Sequence, residues 1–148
     1  RNRATSVSSQ DVFGVEFFDT FPGTTIDSNT WVELDPGNSF TQNNDLILTN
    51  VGGGWNKALI STQTFSRAAG RSFYVDLTTG TSGAFMVGWE KNQTTNASYN
   101  QLVHGLYWNN RNYYTYQNGG NTGTTTNPGY AWNTGYEMKI DLRTASAG

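Results

Sequence analysis

The chain has 148 residues, of which 35% are hydrophobic, 14% aromatic and only 14% charged, and its formal net charge is −2. This length suits one domain with a substantial core, and the lack of a basic stripe argues against a nucleic-acid partner. The chain contains no cysteine, which excludes disulfides and thiolate metal sites, and no apolar run in the sequence is long enough for a membrane span.

The amino-terminal half is predicted to consist of short strands separated by turns. Residues 1–11 are polar and are expected to be a lead-in or linker, and residues 12–148 a single β-sandwich domain, or part of a longer one. The segment Asp19–Trp31 carries turn residues and predicts a loop with a helical turn near Ser28–Trp31. Alternation and β-forming residues predict strands over Val12–Phe18, Trp31–Leu34, Ser39–Gln42, Asp45–Thr49 and Ala58–Thr64.

The carboxy-terminal half shows clearer alternation of apolar and polar residues. It predicts strands over Ser72–Thr78, Ala84–Glu90, Gln101–Trp108, Tyr113–Gln117 and Tyr136–Leu142. The polar segment Lys91–Asn100 is expected to be a loop, and its Asn92 and Asn96 lie in glycosylation acceptor triplets. Gly119–Pro128 is expected to be an excursion rich in Gly, Thr and Asn with no anchor of its own. Short, evenly spaced strands predict an all-β fold, a two-sheet antiparallel β-sandwich.

The hairpin over residues 103–118 is the most aromatic stretch of the chain. It also holds the only histidine, His104. Because strand side chains alternate, both faces of this hairpin carry aromatic rings. A core needs only one of these faces. Rings flanked by asparagine amides suit a sugar, and the alternative is that tyrosines merely cover the sheet.

A series of short motifs runs along the chain: FFDTF at 17–21 followed by DSNTW at 27–31, then LIL at 46–48, ISTQTF at 60–65 and FYVD at 73–76. Together they resemble the concanavalin A-like lectin/glucanase jelly roll, of the non-catalytic carbohydrate-binding or laminin-G-like type. The similarity covers residues 13–90 and 136–142. It implies a jelly roll, but that fold hosts lectins, glycosidases and adhesive spacers. Members continue past a strand like the one at 136–142, so the closing strands are expected from outside residues 1–148.

The enzymes of this fold carry a Glu-x-Asp-x-(x)-Glu strand that places carboxylates for glycoside hydrolysis. The nearest pattern here is Glu137-x-Lys139-x-Asp141, with a lysine in the middle place. We therefore expect no catalytic residues. The family resemblance also implies a calcium ion, for which the candidate ligands are Asp19, Asp35 and Asp141, but turn capping is the favoured interpretation of each aspartate. No cofactor is expected to be required.

The sequence therefore favours a non-catalytic, extracellular glycan-binding module, lectin-like and part of a larger secreted or cell-surface protein. The alternatives are a structural or adhesive sandwich that packs against protein neighbours, and, less favoured, a glycoside hydrolase. The expected partner is a polysaccharide or glycan, with a neighbouring chain or later segment completing the sheet. The residues predicted to contact sugar are Trp89, His104, Trp108, Asn109, Arg111, Tyr114 and Tyr116.

Overall fold

A computed structural model describes the chain over residues 17–35, 37–49, 54–65, 71–80, 83–91, 97–109, 111–125 and 130–142. The chain divides into two compact units, Arg1–Thr64 and Phe65–Gly148, which we call the first and the second unit. Every sheet is antiparallel, and the described residues contain no α-helix. The predicted all-β fold of antiparallel sheets is thus confirmed. Within this described part, no helix is long and apolar enough to cross a membrane.

The first unit contains two small sheets. Strand β1 (Trp31–Leu34) pairs with β4 (Ala58–Ser61), and β2 (Phe40–Gln42) pairs with β3 (Leu46–Leu48). A turn leads into β1, as predicted, because the backbone N–H groups of Thr30 and Trp31 both donate to the carbonyl of Asp27.

A cluster around Trp31 holds the segment before β1. Phe17 packs edge-on against Trp31 and Phe21 stacks on it, each with ring centroids 5.3 Å apart. The Asp19 carboxylate accepts the indole N–H of Trp31 at 2.6 Å and the backbone N–H of Phe21 at 2.7 Å. Phe21 has a φ of 53°, so these contacts hold a backbone conformation that is uncommon for a side chain of this size.

The second unit contains a four-stranded sheet in the order β6-β7-β8-β9. Its strands are β6 (Ala84–Glu90), β7 (Leu102–Asn109), β8 (Asn112–Gln117) and β9 (Gly120–Thr125), and a single 3₁₀ turn (Tyr99–Gln101) precedes β7. Gly88 and Gly105 lie opposite each other in β6 and β7. A Cβ on Gly88 would lie 2.2 Å from the carbonyl oxygen of His104, so glycine is required for these strands to approach.

A second sheet in this unit pairs β5 (Arg71–Thr78) with β10 (Gly135–Leu142). Phe73, Val75 and Leu77 of β5 alternate with exposed neighbours, as the sequence pattern predicts. The two sheets face each other, because Phe73 contacts Trp89 of β6 and Tyr136 of β10 contacts Trp108 of β7. The core of this unit is therefore aromatic and lies between the two sheets.

The segment Gly119–Pro128, expected to be an excursion with no anchor of its own, is anchored over part of its length, because Gly120–Thr125 forms β9 and pairs with β8. The backbone pairing with β8 supplies hydrogen bonds that do not depend on apolar side chains. Of the predicted strand Val12–Phe18, residues 12–16 lie outside the described part of the chain, and Phe17 and Phe18 are not in a strand.

Candidate functional site

The hairpin of β7 and β8 separates its side chains onto two faces. His104, Leu106 and Trp108 point towards the β5–β10 sheet, and we call this side of the four-stranded sheet the inner face. Tyr107 and Tyr114, directly opposite each other in register, point the other way, onto the outer face. The sequence therefore correctly places aromatic rings on both sides of this sheet.

Four tyrosines, which we call the tyrosine face, cluster on the outer side. Tyr107 lies 5.4 Å from Tyr114 and 5.7 Å from Tyr116 between ring centroids, and Tyr116 lies 6.0 Å from Tyr99. Burial, together with the nearby hydroxyls of Tyr116 and Tyr114, raises the pKa of Tyr107 above its ordinary value. The Tyr107 phenol therefore stays protonated at neutral pH and can donate as well as accept hydrogen bonds.

Apolar and amide groups extend the tyrosine face. Gly105 pairs with Tyr116 in register and has no side chain of its own. Leu102 fills this space, because its Cδ1 lies 3.1 Å from where a Cβ on Gly105 would be. At the other end, the alternation of the strands puts Asn109 and Asn112 on the same face as Tyr107 and Tyr114. The face thus combines aromatic and aliphatic surface with amides.

A small hollow of about 170 Å³ lies where the chain flanks Tyr99 and Tyr116. The backbone N–H groups of Asn118 and Gly119 donate to the carbonyls of Val103 and Leu102, at 2.9 and 3.0 Å. Gly119 has a φ of 75°, and a Cβ added to it would lie only 2.6 Å from the Cα of Asn100. The hollow is lined by Lys91, Asn100, Gln101, Leu102, Val103 and Asn118. The sequence analysis did not single out Tyr99, Tyr107 or this hollow.

Two tryptophans predicted to contact sugar belong to the inner face instead. Trp108 is 1% exposed, and its ring contacts are with Phe85, Tyr113, Tyr130, Trp132 and Tyr136. Trp89 packs edge-on against Phe65 and Phe73, and its indole N–H is buried. Trp108 is buried, and Trp89 packs against other rings on the inner face, so neither joins the tyrosines of the outer face and we leave both out of the candidate site. Alternation along a strand does not tell which of its two faces meets the core.

Tyr113 shows how strongly the inner cluster excludes water. Its ring lies 4.8 Å from Trp108 and 4.6 Å from Tyr130 between centroids. Burial, and to a lesser degree the nearby hydroxyls of Tyr130 and Tyr136, raises the pKa of Tyr113 to about 12. The inner cluster therefore acts as core.

The other predicted residues are spread over the sheet. Arg111 lies in the β7–β8 turn with a φ of 70°, and its Nε donates to the carbonyl of Tyr130, so its guanidinium holds the segment before β10. His104 lies on the inner face, in a cleft of about 290 Å³. Only Asn109, Tyr114 and Tyr116 of the predicted set therefore share the outer face.

The three aspartates proposed as calcium ligands accept hydrogen bonds from three separate sets of protein groups. Asp19 accepts from Trp31 and Phe21, and Asp141 accepts from the hydroxyl of Ser72 and pairs with Lys139 at 2.8 Å. Burial opposes ionisation of Asp35, but hydrogen bonds from the backbone of Phe40 and neighbouring groups keep its pKa below the ordinary value. Among the described residues, no group of three or more His, Cys, Asp or Glu side chains is placed to hold a metal ion.

One carboxyl group stands out that the sequence did not indicate. Burial raises the pKa of Glu90 to about 7, and its Oε1 is buried without a hydrogen-bond partner among the described residues. Burial is the sole cause of the shift.

Comparison with known proteins gives no significant match to a family model, a curated protein or a solved structure.

Proposed function

We propose that this chain is a non-catalytic, lectin-like module that binds a glycan, as part of a larger secreted or cell-surface protein. The observation that supports this most directly is the tyrosine face. Its rings lie within 6.0 Å of one another between neighbouring centroids, and Tyr99 is 39% exposed. Sugars present an apolar C–H surface and a rim of hydroxyls, and tyrosines beside amides match both.

The surroundings of the tyrosine face support a polymer rather than a small apolar ligand. The amides of Asn109 and Asn112 lie at one end, and the asparagine-lined hollow beside Asn100 and Asn118 lies at the other. A glycan chain running across β7 and β8 would meet polar groups on both sides of the rings. The extracellular location rests on composition, since the chain is poor in lysine and rich in Thr, Asn and Gly. We also propose that the strands connect in the order of the concanavalin A-like jelly roll, which the sequence motifs resemble.

The test is affinity electrophoresis of the 148-residue chain through gels that contain β-glucan, xylan, mannan or soluble chitosan. We expect at least one polysaccharide to retard the wild type. The double variant Tyr107→Ala/Tyr114→Ala should lose this retardation, since each stacked ring contributes on the order of 1–3 kcal/mol by analogy with stacking on bases.

Tyr74→Ala is the matched control. Tyr74 lies on β5, in the other sheet of the second unit, and is 66% exposed. This variant removes a more exposed tyrosine without touching the tyrosine face, and it should migrate as the wild type does. Circular dichroism must show that all variants keep their strands. Equal retardation of the wild type and the folded double variant would refute the proposed site.

A structural or adhesive role is the second candidate, and one observation favours it. Ile47 and Leu48 are consecutive in β3 and each is 45% exposed, which is unusual for adjacent large aliphatic residues in a strand. If this pair meets a protein neighbour, light scattering should show self-association that Ile47→Ser/Leu48→Ser abolishes. Polysaccharide binding by a chain that stays monomeric at all concentrations would favour the first function.

A further inference from the structure

We propose that the cleft on the inner face is a second binding site, which takes one neutral sugar residue. The cleft has a volume of about 290 Å³, close to the lower end of small-ligand sites. This volume suits a single ring better than a stretch of polymer. Its lining residues are His104, Gly105, Leu106, Thr115, Tyr116, Gln117, Thr122, Lys139, Ile140 and Asp141.

The cleft arises from the unequal widths of the two sheets in the second unit. Four strands face two, and the β5–β10 pair packs against the side of the four-stranded sheet that carries Trp89 and Trp108. Farther along the same inner face, Thr115 and Gln117 of β8 are exposed. The cleft lies where the four-stranded sheet extends beyond the edge of the β5–β10 pair, between β10 and the inner face of β7 and β8.

The lining offers the two kinds of surface that a sugar ring needs. Leu106 and Ile140 provide apolar surface for the C–H side of the ring. Gln117 offers an amide that both donates and accepts, and it lies opposite His104 in register, so two hydrogen-bonding side chains stand next to each other. On the adjoining strands, the Thr122 hydroxyl donates to the carbonyl of Thr115 at 3.1 Å, which leaves its oxygen able to accept from a ligand hydroxyl.

The two charged residues that line the cleft favour a neutral ligand, because they are already paired away from it. Lys139 and Asp141 alternate with Ile140 along β10, so their side chains point to the opposite face of that strand. There Lys139 pairs with Asp141 at 2.8 Å and lies over the ring of Tyr74, and Ser72 also donates to Asp141. Neither charge is thus directed at a ligand in the cleft. We therefore assign a neutral sugar rather than a uronic acid or an amino sugar.

This inference rests on the proposed function only in taking a sugar as the ligand, since the cleft itself is a separate observation. Tyr116 borders both the cleft and the tyrosine face, but the side chains that test them point to opposite sides of the sheet, Gln117 to the inner face and Tyr107 and Tyr114 to the outer face. A glycan bound through the tyrosine face and a sugar residue in the cleft can therefore be measured separately.

The experiment is a ¹H–¹⁵N NMR titration of the 148-residue chain with the methyl glycosides of glucose, galactose and mannose, and with glucuronate. We expect at least one neutral glycoside to shift the side-chain amide of Gln117 and the backbone amides of Leu106 and Ile140. Gln117→Ala should weaken that binding about tenfold, the usual effect of losing a neutral hydrogen bond. The control Gln63→Ala, an exposed glutamine in the first unit, should bind as the wild type does.

Three results would overturn the inference. They are an absence of shifts at the cleft with all three neutral glycosides, unchanged affinity in folded Gln117→Ala, and tighter binding of glucuronate than of any neutral glycoside. These results are distinguishable from failure of the proposed function. Retardation by polysaccharide that depends on Tyr107 and Tyr114, without shifts at the cleft, would leave the tyrosine face in place and remove only the cleft.

Discussion

Trp108 of β7 and Tyr136 of β10 meet across the two sheets of the second unit, with ring centroids 5.6 Å apart and planes inclined by 40°. Trp108 is also the most deeply buried large side chain among the described residues. It contacts rings from β6, β8 and the segment before β10 as well. This one side chain therefore links both sheets, which makes it a determinant of stability rather than of binding.

Replacing Trp108 with alanine should destabilise the protein by about 3–5 kcal/mol, the usual cost of truncating a buried aromatic residue, because no neighbour can fill the space of an indole. Trp108→Phe should cost less, since a ring remains. Urea unfolding followed by circular dichroism measures both effects. Trp55→Ala, at an exposed tryptophan of the first unit, is the control. Similar unfolding midpoints for Trp108→Ala and Trp55→Ala would contradict the central role of Trp108.

Glu90 should make stability fall as pH rises. Its pKa is about 7 in the folded chain against 4.5 for the ordinary carboxyl, so the folded state holds more protons than the unfolded state between these values. The free energy of unfolding should therefore decrease from about pH 4.5 to 7. Because the side chain is partly solvated, we discount the shift to an effect on the order of 1 kcal/mol.

Glu90→Gln should remove this decrease, because the amide has no proton to lose. Urea unfolding at pH 5 and pH 8 should show a smaller difference in the variant than in the wild type, through a gain in stability at pH 8. Glu137→Gln, at an exposed position of β10, is the matched control and should keep the wild-type difference. An unaltered pH dependence in Glu90→Gln would show that the carboxyl is ionised freely in the folded state.

Gly88→Ala should destabilise the second unit by about 1–3 kcal/mol, in the range of overpacked substitutions. The new methyl group would lie 2.2 Å from the His104 carbonyl oxygen and 2.7 Å from the Cα of Gly105, and both are backbone atoms that cannot move without opening β6 from β7. Thermal unfolding gives the comparison. Gly120→Ala in β9 is the control, because its nearest neighbour would be at an ordinary 3.6 Å. Equal melting temperatures for the two variants would show that β6 and β7 can separate slightly without cost.

Asp19→Ala should destabilise the first unit by about 1–3 kcal/mol, because the N–H groups of Trp31 and Phe21 would both lose their carboxylate acceptor. Asp76→Ala, which removes an exposed carboxylate from β5, should have little effect. Hydrogen exchange of the Trp31 indole proton is a local readout and should accelerate in Asp19→Ala alone. Unchanged exchange there would mean that ring packing by Phe17 and Phe21 is sufficient.

The sequence determined the strands of the second unit closely. Ala84–Glu90 was predicted to the residue, and Tyr136–Leu142 was one residue short of β10. The reason is that period-two alternation is a local property, so each strand carries its own signal. The turn before β1 was predictable because Asp, Ser and Asn are themselves local turn signals. Residues Gly120–Thr125 lack this alternation, and only their backbone pairing with β8 defines them as β9.

Which face of the β7–β8 hairpin is core was decided only by the tertiary structure. Alternation separates Trp108 from Tyr107, but it is symmetrical and does not say which of them meets the second sheet. Trp108 is buried because Tyr130, Trp132 and Tyr136, distant in sequence, pack onto it. The same packing leaves Tyr107, Tyr114 and Tyr116 together on the outer face, and the step between a four-stranded and a two-stranded sheet creates the cleft beside His104. Contacts between distant strands, which no local pattern encodes, thus define both candidate sites.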